Sequence, residues 1–563
     1  MSHGVGRLLR RAERTWQTLS HVPPRQLLRR VELTARFRLS RFFPAAGEGV
    51  LPRLAESLPT PPFPERSGLM RKEGAGLVLC LPWGERQLQR PLPWGSRSAA
   101  ADSSARADIN NLHFMEYLES VDDGLATELI EEWIRHNPAG EPGAWRHAWR
   151  AYNLSIRVAM WLELLARRRD RLPPATVEQA AASLALQLRY LERHLETDLR
   201  GNHLIKNLRA LAWGGACFVG PDADRWSERS RKLLRRELAE QILPDGSHYE
   251  RSPAYHCQVM GDLLACRAAL RRPLPELDDA LDRMASVLPR YTHPDGAVAP
   301  WNDGGLSMAL APAELLETHR RLGGAPTGDR LGPFALADAG YYGLRAPGEL
   351  VLVDCGELGP GYLPGHGHCD LLSFEWSTHG RRIIVDQGTH QYVGGSRRWA
   401  SRCTASHNTL AIDGAEQSDI YGAFRCGRRA RPKLLRFVED GAGFRFEGSH
   451  DGYAALPGAP RHVRCVEARP GRLRIEDRLE GGIGQPATSR LLLHPDCSAE
   501  PDGGGWVIRS GPVAVRLAAS VPVTSEPAEW YPDIHVAWPT TRLIMSLPPA
   551  PRSIEMRLTS AST

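Results

Sequence analysis

Between Thr176 and Glu196, Val177, Ala181, Leu184, Leu188, Leu191 and Leu195 recur at alternating spacings of four and three. That spacing lays one apolar stripe on an amphipathic helix, and Pro173-Pro174 marks its start. Similar patterns predict helices over Asp123–His136, Ala148–Arg168, Arg225–Leu243, Val259–Arg271 and Pro275–Leu288, with short Gly/Pro/Asp-rich breaks between them. Near residues 325–345 the texture changes. Short β-type runs follow: Leu350–Val353, Arg382–Asp386, Leu434–Val438, Phe444–Glu447, His462–Val466 and Leu473–Glu476. Turn signals such as Glu439-Asp440-Gly441 and Arg469-Pro470-Gly471 punctuate them. The pattern predicts an α+β multidomain chain: a helical array or toroid over 105–330, then an antiparallel β-sandwich over 331–563. Residues 1–104 form an N-terminal extension, basic and helical at first, then rich in Pro and Gly, with one strand-like patch at Gly76–Leu81.

Length agrees with several units, because 563 residues exceed what one hydrophobic core holds. Lys and Arg exceed Asp and Glu by 71 to 65, a net charge of +6 that suits an anionic ligand but gives no argument for nucleic acid. The ten cysteines form no CxxC pair, so neither a zinc-thiolate site nor a disulfide framework is expected. No window approaches a membrane span. The N-terminus is basic without an apolar signal-peptide core, so a cytoplasmic protein is the default expectation. That amphipathic end reads first as a solvated helix face, with contact with a membrane surface as the alternative.

Three stretches carry candidate chemistry: GNHLIKN (201–207), LPDGSHYERSPAYH (243–256), and a group formed by GHGHCDLLSFEW (365–376), IIVDQGTHQY (383–392) and RCTASHNTLAIDG (402–414). If a strand begins at His366, period 2 puts His366, His368 and Asp370 on one face. Each element also has an ordinary structural explanation. Asn202 can cap a helix, Tyr255 and His256 can bury their rings, and Asp386-Gln387-Gly388 can end a strand.

Together the motifs resemble the heparinase II/III family of polysaccharide lyases, which includes related alginate lyases. The likeness covers roughly residues 105–480. It implies an incomplete α/α toroid packed on antiparallel sheets, with an anionic, uronate-containing polysaccharide in the cleft between them. By the same resemblance, Asn202 and His203 neutralise the uronate carboxylate, Tyr255 is the acid, and the base is either Tyr255 itself or, when the C5 proton lies on the other face, His366. His368, Asp386 and His407 are implied to hold a divalent metal, most simply structural zinc, with Asp370 orienting them. Glu250, His256, Tyr392 and Arg402 are expected to contact substrate. Lys206 stands where heparinase II-like relatives carry an acidic residue, which leaves the uronate type open. Two alternatives accompany this reading. One is a glycoside hydrolase using Glu250 and Asp303 as paired carboxylates. The other is a non-catalytic polysaccharide-binding or assembly protein.

Overall fold

The structure is a computed structural model that describes residues 13–39, 49–95, 103–139, 146–328, 330–548 and 552–562. Ten helices are labelled here: α1 (Pro24–Leu39), α2 (Ser103–Phe114), α3 (Asp123–His136), α4 (Ala151–Arg168), α5 (Pro174–Arg193), α6 (Gly201–Cys217), α7 (Pro221–Gln241), α8 (Pro253–Ala269), α9 (Pro275–Tyr291) and α10 (Pro312–Arg321). Prolines open several of them, a position where the missing N–H costs nothing. The α5 stripe is buried at Leu184, Leu188 and Leu191, as the spacing requires. Helix α6 is buried on nearly every face and packs among α4, α7 and α8. Trp133, Trp161, Trp213 and Trp226 fill the core around these helices.

Helices give way to strands between Arg321 and Gly332. A five-stranded antiparallel sheet follows, built from Gly332–Leu336, Tyr341–Ala346, Glu349–Asp354, Phe374–Thr378 and Arg381–Ile384. Strand Glu349–Asp354 is buried at every position, and alternation explains why. Leu350 and Leu352 join the helical core, while Val351 and Val353 join the core shared with the later strands. This sheet therefore lies between the helices and an eight-stranded antiparallel sheet running from Pro432 to Ser562. A four-stranded sheet containing Leu410–Ile412 completes that half.

The predicted strand at His366 is not there. Pro364–His366 forms a short 3-10 turn, and the strand begins only at Phe374. The intervening backbone groups find scattered partners instead of a ladder: His366 O accepts from Asp303 N, His368 N donates to Asn302 Oδ1, and Cys369 N donates to Arg402 O. The segment is a loop pinned from three sides. Of the basic N-terminus, residues 1–12 lie outside the described residues, while 13–19 are helical. All ten cysteines are free, and no described helix is long and apolar enough to cross a membrane.

Candidate functional site

Asn202 stands at the start of α6, where it has its own carboxylate. Glu250 Oε1 accepts from Asn202 N at 2.9 Å, and the Asn202 amide nitrogen reaches both oxygens, at 3.2 and 3.0 Å. An anion at a helix N-terminus meets free N–H groups and the positive end of the helix dipole. Gly201 makes the approach possible. Its φ is +54°, and a Cβ there would sit 2.2 Å from Glu250 Oε1. Asn202 is therefore not the capping residue; Glu250 receives its donors. His203, one residue on, keeps part of its ring exposed, pairs with Glu196 at 3.0 Å and packs on Tyr152.

Tyr255 is placed by a different cap. Ser252 opens α8 by accepting from Tyr255 N, and its own hydroxyl donates to Asp303 O at 2.6 Å. The Tyr255 ring lies 4.3 Å from the His366 ring, centre to centre, and its hydroxyl donates to Tyr392 Oη at 3.2 Å. Burial, reinforced by Tyr392, Tyr152 and Asp303, holds the Tyr255 phenol well above its ordinary value. It carries its proton at neutral pH.

His366 is held between two carboxylates. Nδ1 lies 2.9 Å from Asp303 Oδ2 and Nε2 lies 3.5 Å from Glu250 Oε2. An ionised Asp303 accepts only, so Nδ1 carries the hydrogen, and in the neutral ring Nε2 keeps a lone pair. Burial alone would raise the Asp303 pKa. The Arg398 guanidinium and the hydrogen bonds from both histidines overcome this and hold it well below the carboxylate range. Arg398 grips both Asp303 oxygens, with Nη2 2.8 Å from Oδ2.

His368 shares the same carboxylate through Nε2, 3.0 Å from Asp303 Oδ1. This leaves its Nδ1 bare, and that buried nitrogen has no hydrogen-bond partner. His407 Nδ1 lies 2.7 Å from Asp386 Oδ2, while His407 Nε2 is likewise buried and unpartnered. His368, Asp386 and His407 each bring a ligand atom within 4.8 Å of the others. Two imidazoles and a carboxylate with unused buried nitrogens fit a divalent ion of the zinc type. Asp370 is buried against this group; burial first, then Asp386, raises its carboxyl to about 6, with His407 opposing.

Three residues expected at the substrate are supports instead. His256 is buried, accepting from His248 N and facing Met284 O, and burial lowers its pKa to about 3. Arg402 spends its donors on Gly367 O and Ala423 O in the interior. Glu250 is only 1% exposed and serves Asn202. Motif membership does not tell which way a side chain points, and here the backbone needed those polar groups. Tyr392 does reach the site. Asn302 and Arg398 were missed by sequence reasoning, and Asp303 was read only as half of a hydrolytic pair. The polar pair in PWNDGG, beside two glycines, was the available signal for the first and last; Arg398 had none.

The surroundings do not favour that hydrolytic pair, because Asn202 occupies Glu250 and Arg398 with both histidines occupies Asp303. A general acid must keep a proton, as a raised pKa allows. Burial opposes ionisation of Glu250, yet His366, His248 and Asn202 lower its pKa overall, and Asp303 is lower still.

Comparison with known proteins agrees with these motifs. The family model described as "Heparinase II/III N-terminus" matches residues 117–311, and "Heparinase II/III-like, C-terminal" matches 329–548. FtsZ-localized protein C of Caulobacter vibrioides is 25% identical over 464 residues, spanning 74% of this chain and 77% of that protein. A heparin-sulfate lyase of Bacteroides thetaiotaomicron is 26% identical over 362 residues, 56% of this chain and 51% of the lyase. The chain thus matches about half the length of that enzyme. Among solved structures, a heparinase III has a TM-score of 0.66 at 18% identity, covering 94% of this chain and 89% of its own.

Proposed function

The chain belongs to the heparinase II/III family of polysaccharide lyases, and on that premise we propose that it cleaves a uronate-containing anionic polysaccharide by β-elimination, the polymer lying between an incomplete α/α toroid and a β-sandwich. The observation that carries this is the meeting of a protonated, buried Tyr255 with a His366 ring whose tautomer Asp303 fixes.

The uronate C5 proton is weakly acidic while its carboxylate is charged. Asn202 and His203 donate to that carboxylate and spread the charge that develops on it, as an oxyanion hole does. Glu250 keeps the Asn202 amide in place. His366 Nε2 takes the C5 proton, the C4–O4 bond breaks as the C4=C5 double bond forms, and Tyr255 gives its phenolic proton to the leaving O4. The tyrosinate then regains a proton from solvent and His366 loses one, so the site is restored. Tyr392, hydrogen-bonded to Tyr255, orients the phenol.

His368, Asp386 and His407 would hold a structural zinc ion. Such an ion supplies a crosslink between the His368 segment and the strands' exits, and balances the Asp386 charge. Asp303 joins that centre to His366 through its two oxygens.

The heparin-sulfate lyase relative favours a heparan-type glycosaminoglycan as the first polymer to test. The relative named for FtsZ localisation favours a second reading, a binding or assembly protein that keeps the cleft. Incubation with heparan sulfate, chondroitin, hyaluronan and alginate, followed by absorbance of the unsaturated uronate, separates the two. New absorbance on at least one polymer is expected. Polymer binding with no absorbance on any would support the second reading.

A further inference from the structure

Helices usually turn their apolar face inward, and the N-terminal helices also leave large apolar side chains outward. In α1, Gln26 and Leu33 are buried against the body, while Leu28 and Val31 are 69% and 67% exposed. In the helix of residues 13–19, Trp16 is 72% exposed and Leu19 44%. These four are close neighbours in sequence, and Trp16, Leu28 and Val31 are each mostly exposed. Leu28, Val31 and Ala35 share one helical face, with the exposed Arg25 at its side.

Polar contacts hold these helices to both halves of the molecule. Arg14 pairs with Asp419 at 2.6 Å and Thr18 meets Tyr421 Oη at 2.6 Å on the strand half. Arg29 donates to Arg193 O at 2.9 Å and Arg30 pairs with Asp198 at 3.4 Å on the helical half. The orientation is thus fixed by salt bridges, leaving the apolar face outward. Charge adds a direction. Residues 1–43 contain ten arginines and two glutamates, a net +8, whereas the whole chain carries +6, so the other 520 residues sum to −2.

We infer that residues 13–39 form a docking surface for an anionic lipid membrane. Trp16, Leu28 and Val31 enter the boundary between headgroups and acyl chains, while the exposed Arg25 beside the apolar face and the net positive charge of the N-terminal segment attract the lipid phosphates. The match is chemical: a surface that is apolar and basic at once fits an interface that is apolar and acidic at once. An acidic protein would use the arginines without needing three separate large apolar side chains. A purely polyanionic ligand would leave those side chains in water. The surface is independent of the elimination chemistry, because none of its residues lies at Tyr255 or His366.

The test is co-sedimentation of the full chain with vesicles, one set of phosphatidylcholine alone and one containing phosphatidylglycerol. Binding to the anionic vesicles only, weakened by salt, is expected. The triple variant Trp16→Ser, Leu28→Ser, Val31→Ser should lose about tenfold or more of that binding while its melting temperature and any activity on soluble polymer stay unchanged. Absence of sedimentation with anionic vesicles at low salt overturns the inference. So does equal binding by the variant, which would make the arginines a general polyanion patch or a site for an acidic partner.

Discussion

Asp303 Oδ2 accepts a hydrogen bond from His366 Nδ1 at 2.9 Å, while the other oxygen of the same carboxylate faces His368 Nε2 at 3.0 Å. One buried anion therefore sets the tautomer of the proposed base and of a proposed metal ligand. Asp303→Asn keeps the shape but removes the charge, and an amide nitrogen facing either histidine cannot accept from it. Turnover should fall by about 10²–10⁴-fold, the usual range for a positioned acid–base group, with KM changing much less. Single-turnover kinetics across pH checks this; loss in KM alone would assign Asp303 to substrate binding.

Metal content tests the second cluster. Purified protein should contain one equivalent of a divalent ion, and His407→Ala should lose it, as elemental analysis will measure. Removal by chelator should lower the melting temperature, because metal binding contributes to folding where the site forms only in the folded chain. Equal metal in wild type and variant would remove these three residues as ligands.

Gly201→Ala probes the close approach of Glu250 to α6. A positive φ costs a non-glycine residue about 1–3 kcal/mol, and the added methyl would also collide with Glu250 Oε1 and Leu363. Denaturant melts should show a loss of at least that size, together with reduced turnover as the Asn202 amide shifts. A neutral effect on both would mean the helix start is loose.

Acid stability has a separate source in the strand half. Asp477 is fully buried, with Arg464 at 2.7 and 2.8 Å and His462 at 2.7 Å. Burial alone would raise its carboxyl, but Arg464 and His462 together hold it well below the usual range. A carboxyl depressed in the folded state binds fewer protons than in the unfolded chain, so its contribution is full above about pH 4 and fades as pH falls further. Asp477→Asn should cost about 3–5 kcal/mol at neutral pH, the range for breaking a buried pair. It should also flatten the acid limb of stability, which urea melts at several pH values will measure.

The amphipathic helices and punctuated strands were legible because their signals are local: a 4/3 stripe in α5, short β runs after Leu350. The grouping of His368, Asp386 and His407, the proposed metal ligands, was suggested by a resemblance, through motifs spaced along the chain, and the structure brings the three together. The His366 loop was not, because its backbone is satisfied by Asn302, Asp303 and Arg402, residues remote in sequence. A run of residues that looks like strand contains no record of partners 63 or 66 positions away. The Arg398–Asp303 pair spans 95 positions for the same reason. Glu250, His256 and Arg402 were read as substrate contacts from their motifs, whereas their orientation depends on which backbone groups needed a partner inside.

The most direct test of the proposed elimination is Tyr255→Phe, assayed by unsaturated-uronate absorbance on whichever polymer the wild type cleaves. The substitution removes one hydroxyl and keeps the ring against His366, so thermal melting should be nearly unchanged. With the phenol held well above its ordinary value by burial, the wild-type rate should also show no loss from tyrosine ionisation below about pH 10. A folded Tyr255→Phe protein whose rate falls by about 10²–10⁴-fold or more is the expected result. A folded variant that forms unsaturated product at the wild-type rate would contradict it.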